Sequence, residues 1–334
     1  MRSWKIALFG AVWLSAAVAH ADETTLVFAT DGPPNTHVAV RVFHPWADHL
    51  NAVGKGVLKL DIRDGLVIVN PTNFYNRVMD DVVQIVWGSI GNLAGTFPLS
   101  EFSALPFQGE NSENSSVAFW RLYKSGLLDS EFKDVVPLMM IIYPQAEVHL
   151  AKPPKSIETL NGLRLMVVAK TAAEFITDLG GSPSSVPLPD LYGGLQRGLV
   201  DGTVIAWTAF QPYKLGEVTT YHYETQLGAS SGMVFMTRKR YDALPPEARK
   251  LIDENSGEAE SRTLGKAWDE VAEEARQLAK SDPKQTVVTP TPEQTVKWKA
   301  TVQPVTDGWI QKNPAGAKVL ARFREILTDV KAGH

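Results

Sequence analysis

The residue types that most often do chemistry are present in this chain without the spacing that chemistry needs. His37 and His44 are seven residues apart, His49 falls on another helix face, and the chain holds no cysteine to complete a metal set. The three histidines read as one solvated helix surface. The run "GSIGNLAG" (88–95) lacks the lysine and the strand–helix frame of a phosphate loop, and there is no G-x-S-x-G elbow. Asp80 and Asp81 are adjacent, so on a strand they point to opposite sides, which suits a helix end or turn better than a paired acid and base. Trp87 and Trp207 each follow an apolar strand-like run, where a tryptophan either packs a core or walls a ligand site. No catalytic constellation, metal set or cofactor motif emerges.

The elements that would position such residues begin after residue 21. Arg2 and Lys5 precede an apolar run from Ile6 to Val18, and Ala19-His20-Ala21 is a small-x-small cleavage signal. Residues 1–21 read as a secretory signal peptide, with Asp22 as the mature N-terminus. Loss of Arg2 and Lys5 makes the chain more acidic than its formal −4, which argues against nucleic acid or a lipid surface as partner. Without cysteine the fold rests on its core, and roughly 310 residues is more than one core organises, so two domains are expected.

"TTLVFATDGPPNTHVAVRVFHPWADHL" reads as strand, loop and helix, with Val38, Val42, Trp46 and Leu50 at helical spacing. "LKLDIR" is a second strand, and Val82 to Trp87 is apolar enough for a buried third. A helix over "SENSSVAFWRLYKSG" ends at Gly126. "VVPLMMIIYPQAEVHLAK" reads as a strand that leaves one sheet for another near Pro144. "SIETLNG" reads as a short helix capped by Ser156. "FITDLGG" closes another helix, and "DLYGGLQRGLVDG" is a third, with Leu191, Leu195 and Leu199 in register. "GMVFMT" returns a strand to the first domain, and 241–281 is strongly helical. The alternation predicts an α/β protein.

Five segments carry a family resemblance: "FPLSEFSALPF" (97–107), "SIETLNGLRLMV" (156–167), "LGGSPSSVPLPDLYGGLQRGLVDG" (179–202), "YKLGEVTTYHYET" (213–225) and "MTRKRYDALPPEARKLI" (236–252). By their order and spacing the chain resembles a DctP-like periplasmic solute-binding protein of a tripartite ATP-independent periplasmic (TRAP) transporter. The resemblance implies a two-lobe periplasmic binding protein fold with hinge strands and a long helix spanning both lobes. It places 22–145 and 232–272 in lobe 1, and 146–231 and 273–334 in lobe 2. It implies a non-enzymatic protein without cofactor that holds a small organic solute between the lobes. That solute would pass to the small and large membrane subunits of an ion-gradient-driven permease. An exported hydrolase, a ligand sensor and the binding protein of an ATP-driven importer are the rival readings.

Ligands of open α/β sheets bind beyond the carboxyl ends of strands. The expected contacts are therefore Asp31, Trp87, Gly88, Ser89, Gln145, Glu147, Met166, Ile205 and Trp207, with Asn70 and Asn73 entering from a loop. The resemblance also implies an arginine at position 166, gripping a carboxylate with two parallel hydrogen bonds. Met166 stands there instead, and Ala146 occupies a place where some relatives have a second arginine. Three readings follow, in order of preference. The ligand offers an apolar or aromatic group to Met166, Ile205, Trp87 and Trp207. Alternatively, Asp31 anchors a cation or hydroxyls. Last, Arg164, two residues earlier on the same strand face, takes over the carboxylate.

Overall fold

A computed structural model describes residues 23–334 except 94, 157, 168 and 169. The expected signal peptide, with Asp22, lies outside the described residues, as do Ile157 and Val168. The chain lays down strands β1 (Thr24–Ala29), β2 (Leu58–Arg63), β3 (Ile85–Ser89) and β4 (Val135–Ile142). Helices α1 (His44–Val53), α2 (Phe74–Met79) and α3 (Ser112–Lys124) connect them. It then crosses into β5 (Glu147–Leu150), β6 (Arg164–Val167), β7 (Ser182–Ser184), β8 (Gly202–Ile205) and β9 (Tyr221–Tyr223). Helices α4 (Lys170–Asp178) and α5 (Leu191–Gln196) fall among these. The last part holds β10 (Ser231–Thr237), α6 (Arg238–Asp242), α7 (Pro246–Glu254), α8 (Glu258–Ser281), β11 (Thr286–Val288), α9 (Pro292–Lys312) and α10 (Gly316–Lys331).

Two sheets result, one per lobe. The first has the order β2-β1-β3-β10-β4 and the second β11-β9-β5-β8-β6-β7. Strand β10 is the expected returning strand, antiparallel to both β3 and β4. All residues of β4 are buried, which is why its sequence is almost uninterruptedly apolar. The four-residue spacing of Val38, Val42, Trp46 and Leu50 exceeds the ordinary helical turn. A π-helical segment over Ala39–Phe43 leads into α1 and widens the turn there, and all four side chains are buried.

Several expectations need correction. No helix forms among the described residues of 156–162, where Ser156 Oγ instead accepts a turn bond from the Glu158 amide at 3.1 Å. Helix α5 ends before Gly198, whose φ of +68° suits glycine, and this leaves Leu199 exposed. The 241–281 stretch is three helices, interrupted at Pro245 and at Gly257, whose φ is +116°. Only α8, about 36 Å long at 1.5 Å per residue, spans the lobes. It touches α3 and β4 on one side, and β11 and the turn Trp207–Ala209 on the other. Helix α10 packs on α3, beside the first sheet rather than the second, because its buried face (Val319, Leu320, Phe323, Leu327) needs that apolar partner.

Gly202 opens β8 at a close approach. A Cβ there would stand 2.4 Å from the carbonyl oxygen of His149 on β5. Gly202→Ala should therefore force the strands apart and destabilise the protein by about 1–3 kcal/mol. A lower denaturation midpoint with an unchanged slope would register this.

Candidate ligand-binding cleft

Where the two crossovers meet, the backbone has left both sheets and pairs with itself. The Tyr143 amide donates to Ser230 O at 3.0 Å, the Ala146 amide to Gly228 O at 2.8 Å, and the Leu227 amide to Ala146 O at 3.1 Å. This ribbon is one wall of a cavity of about 600 Å³ between the lobes. Val204, Ile205 and Ala206 at the end of β8, with Leu188 and Pro212, supply the second lobe's wall. None of its described lining residues is charged. Thr171 Oγ1 and Trp268 Nε1 line it as buried polar atoms without a hydrogen-bond partner. A ligand that reaches them satisfies groups that are otherwise costly to bury.

A second compartment of about 360 Å³ adjoins it, sharing Thr208, Pro212 and Trp268. Asp31, just beyond β1, lines this space with Phe43, Trp87 and Trp268. Burial holds the Asp31 carboxyl above the usual carboxylate range, and its own backbone N–H opposes that only in part. His37 also lines the compartment, with Nε2 3.3 Å from Glu270, whose carboxylate also takes Arg41. Four rings run from one compartment to the other. Centroid separations are 5.3 Å for Phe43–Trp87, 6.0 Å for Trp87–Tyr143 and 5.1 Å for Tyr143–Trp268.

The cleft thus gathers Asp31, Trp87 and Ile205 from the expected contacts. The others have different surroundings. Asn70 and Asn73 cap each other at the start of α2, each amide donating to the other's side chain. Gly88 lies under Phe74, whose ring would sit 2.1 Å from a Cβ. Ser89 Oγ is 3.1 Å from Ser230 Oγ. Gln145, Glu147 and Trp207 line a separate groove that also holds Glu224 and Arg276. Met166 does not face the cleft. It is fully buried among Leu191, Leu195 and Ile205, with Thr203 Oγ1 donating to its carbonyl at 3.1 Å. Arg164 is exposed and committed to Asp201 and to Gly198 O, so its fork is filled at the opposite end of β6. Sequence reasoning missed Tyr143, Thr171, Thr208, Pro212 and Trp268. Tyr143 had a usable signal in the crossover proline that follows it. Trp268 had none, since it is one aromatic in a charged helix.

The match to known proteins decides the family. A family description, bacterial extracellular solute-binding protein family 7 (DctP), fits residues 28–313. The chain belongs to that family. Its solved relatives are TRAP solute-binding proteins of two-lobe architecture, and such proteins work with membrane permease components. One, from Rhodoferax ferrireducens T118, was solved with copurified benzoate. It is 27% identical, superposes with a TM-score of 0.81, and the match covers 93% of this chain and all of that one. Another, from a marine metagenome and specific for aromatic acid ligands, was solved with metahydroxyphenylacetate. It is 26% identical with a TM-score of 0.80, over 92% and 99% of the two chains. A Comamonas testosteroni protein named outer membrane transporter protein TsaT is 25% identical over 269 residues, 78% of each chain. Among the described residues of this family-7 chain, no helix is long and apolar enough to cross a membrane.

Behind the cleft, the family-7 fold here holds a partly buried acid beside its hinge. Glu147 accepts a 2.6 Å hydrogen bond from Trp207 Nε1. Burial first, then the nearby Glu224 carboxylate, push its pKa up to about 8. Beneath it, His149 and His222 share one Nδ1–Nδ1 hydrogen bond of 2.8 Å, and burial holds His149 at about 3. The two effects run oppositely. Glu147 keeps a proton in the fold that the unfolded chain has lost, so its contribution is present below about 4.5 and is lost as pH rises through about 8. The histidines stay neutral, so theirs is present at high pH and lost on acidification. Glu147→Gln keeps an acceptor for Trp207 and removes the first effect alone. Melting curves from pH 5 to 9 should show the variant gaining on the parent by a few kcal/mol as pH rises. Two further variants test positions 166 and 164. Met166→Arg buries a guanidinium without a partner and should destabilise the fold by about 3 kcal/mol or more, visible in denaturant midpoints. Arg164→Ala should leave ligand affinity unchanged.

Proposed function

We propose that this chain captures a small organic solute with an aromatic or otherwise apolar body and delivers it to a TRAP-type, ion-gradient-driven permease. It would do so from the periplasm, after removal of residues 1–21, binding its solute without turning it over. The observation that carries this reading is the larger compartment, whose described lining is uncharged and predominantly apolar or aromatic. Its volume of about 600 Å³ lies within the usual span of small-molecule sites. The aromatic acids held by the solved relatives at 26–27% identity support an aromatic body. The interior place of Met166 and the pairing of Arg164 with Asp201 support a solute that is not gripped as a carboxylate from β6.

In this reading Asp31, Trp87, Tyr143, Ile205 and Trp268 contact the solute. The hinge is the paired ribbon of 143–146 and 227–230, about which the first-sheet and second-sheet lobes close. A ligand touched by both lobes stabilises only the closed form. A thermal-shift screen of aromatic acids, phenols, amines and amides should therefore find stabilisation. Ligand at a hundred times its dissociation constant adds about 2.7 kcal/mol. Small-angle scattering with the saturating hit should then show a smaller radius of gyration with unchanged circular dichroism. Saturation without compaction would remove lobe closure from the account.

A further inference from the structure

We infer that the smaller compartment is a receptor for an organic ammonium group, so that the solute is an aromatic or apolar amine rather than a simple acid. The inference rests on the interlobe cleft being the ligand site. Two kinds of group recognise an ammonium, a carboxylate and the faces of electron-rich rings, and they work best together where water is scarce. The smaller compartment supplies both. The Asp31 carboxylate has no described cation as partner, and Trp87, Phe43 and Trp268 line the same space. His37, the basic residue among that compartment's described lining, is held by Glu270. No lysine or arginine is among the described lining residues of either compartment.

An anion placed here would meet Asp31 uncompensated, whereas an ammonium relieves the cost of its burial. The site also senses closure. Thr208, Gln211 and Pro212 face Asp31's compartment from the second lobe, so the head group is enclosed by both halves. The ring series Phe43–Trp87–Tyr143–Trp268 continues into the larger space, and it gives the rest of the solute an aromatic path. At the boundary, the free Trp268 Nε1 offers one donor to an oxygen on the solute.

Three probes share one ring and differ in head group: tyramine, tyrosol and 4-hydroxyphenylacetate. In calorimetry at pH 7, tyramine should bind at least tenfold more tightly than 4-hydroxyphenylacetate, with the neutral tyrosol between them. Asp31→Asn should cut tyramine affinity at least tenfold and erase the preference, while Asp31→Glu restores part of it. Circular dichroism and melting of both variants show that each is folded. Tighter binding of 4-hydroxyphenylacetate, or tyramine affinity indifferent to Asp31→Asn in a folded protein, overturns the ammonium site and leaves the aromatic-solute reading standing. Failure of all three probes also overturns it. The broader reading falls only if the aromatic screen fails as well.

Discussion

The structure depends on how two peptide segments cross from one sheet to the other without losing their hydrogen bonds. A buried crossover must satisfy its own backbone. Here the β4–β5 and β9–β10 crossovers do so by pairing with each other, through Tyr143, Ala146, Leu227 and their partners. A third segment pins them, as the Ala229 amide donates to Ser103 O at 2.9 Å and the Phe107 amide to Gln226 O at 2.7 Å. Gly228 makes the approach possible. Its φ is +90°, and a Cβ there would lie 2.3 Å from Ala104 O. Tyr143, Ala146, Leu227 and Gly228 also line the larger compartment, so in the proposed reading the ribbon is both hinge and binding wall. Ligand contact and lobe motion are thereby joined at the same few residues.

The groove behind that ribbon has the opposite chemistry. Glu224 and Arg276 form an ion pair there, with Lys280 3.8 Å from the same carboxylate. Asp269 accepts from the Ser112 and Glu113 amides at 2.8 Å each, tying α8 to the first turn of α3. Glu147 and Trp207, expected in the cleft, instead fasten β5 to the turn after β8 on this side. A two-sided hinge of this kind has an apolar face that a solute can fill and a polar face that holds the long helix.

The alternation of strands and helices, the crossover near Pro144 and the return of β10 were legible because each rests on runs of apolar residues bounded by proline or glycine, a local signal. The lost helix at 156–162 and the broken 241–281 stretch show the limit of that signal. A cap and a glycine permit a helix, but packing decides whether it forms. The site was legible only where a strand end coincides with the cleft, as at Asp31, Trp87 and Ile205. Strand ends say nothing about which face a side chain takes. Met166 alternates correctly yet points into the core under α5, and Glu147 leaves the ribbon on its polar side. Trp268 reaches the cleft from a helix that joins the lobes, a contact fixed entirely by tertiary structure.

The position of Met166 has a consequence for how the lobes close. With an arginine gripping a carboxylate from the second lobe, an ion pair would contribute much of the closing energy. Here that lobe presents Leu188, Val204, Ile205, Ala206 and Pro212. In the proposed reading, closure over an apolar body draws on removal of apolar surface from water, which carries a negative heat-capacity change. Selectivity shifts accordingly. An apolar wall discriminates weakly between bodies of similar size, since one methylene is worth about 1–3 kcal/mol. Discrimination by chemical type must come from the few polar groups facing the cleft. Among them are Asp31 on the first lobe, Trp268 on α8 and Thr171 at the start of α4 in the second lobe. In the proposed reading Asp31 and Trp268 select the solute from the first lobe and α8, Thr171 adds a polar contact from the second lobe, and that lobe's apolar wall contributes the closing energy.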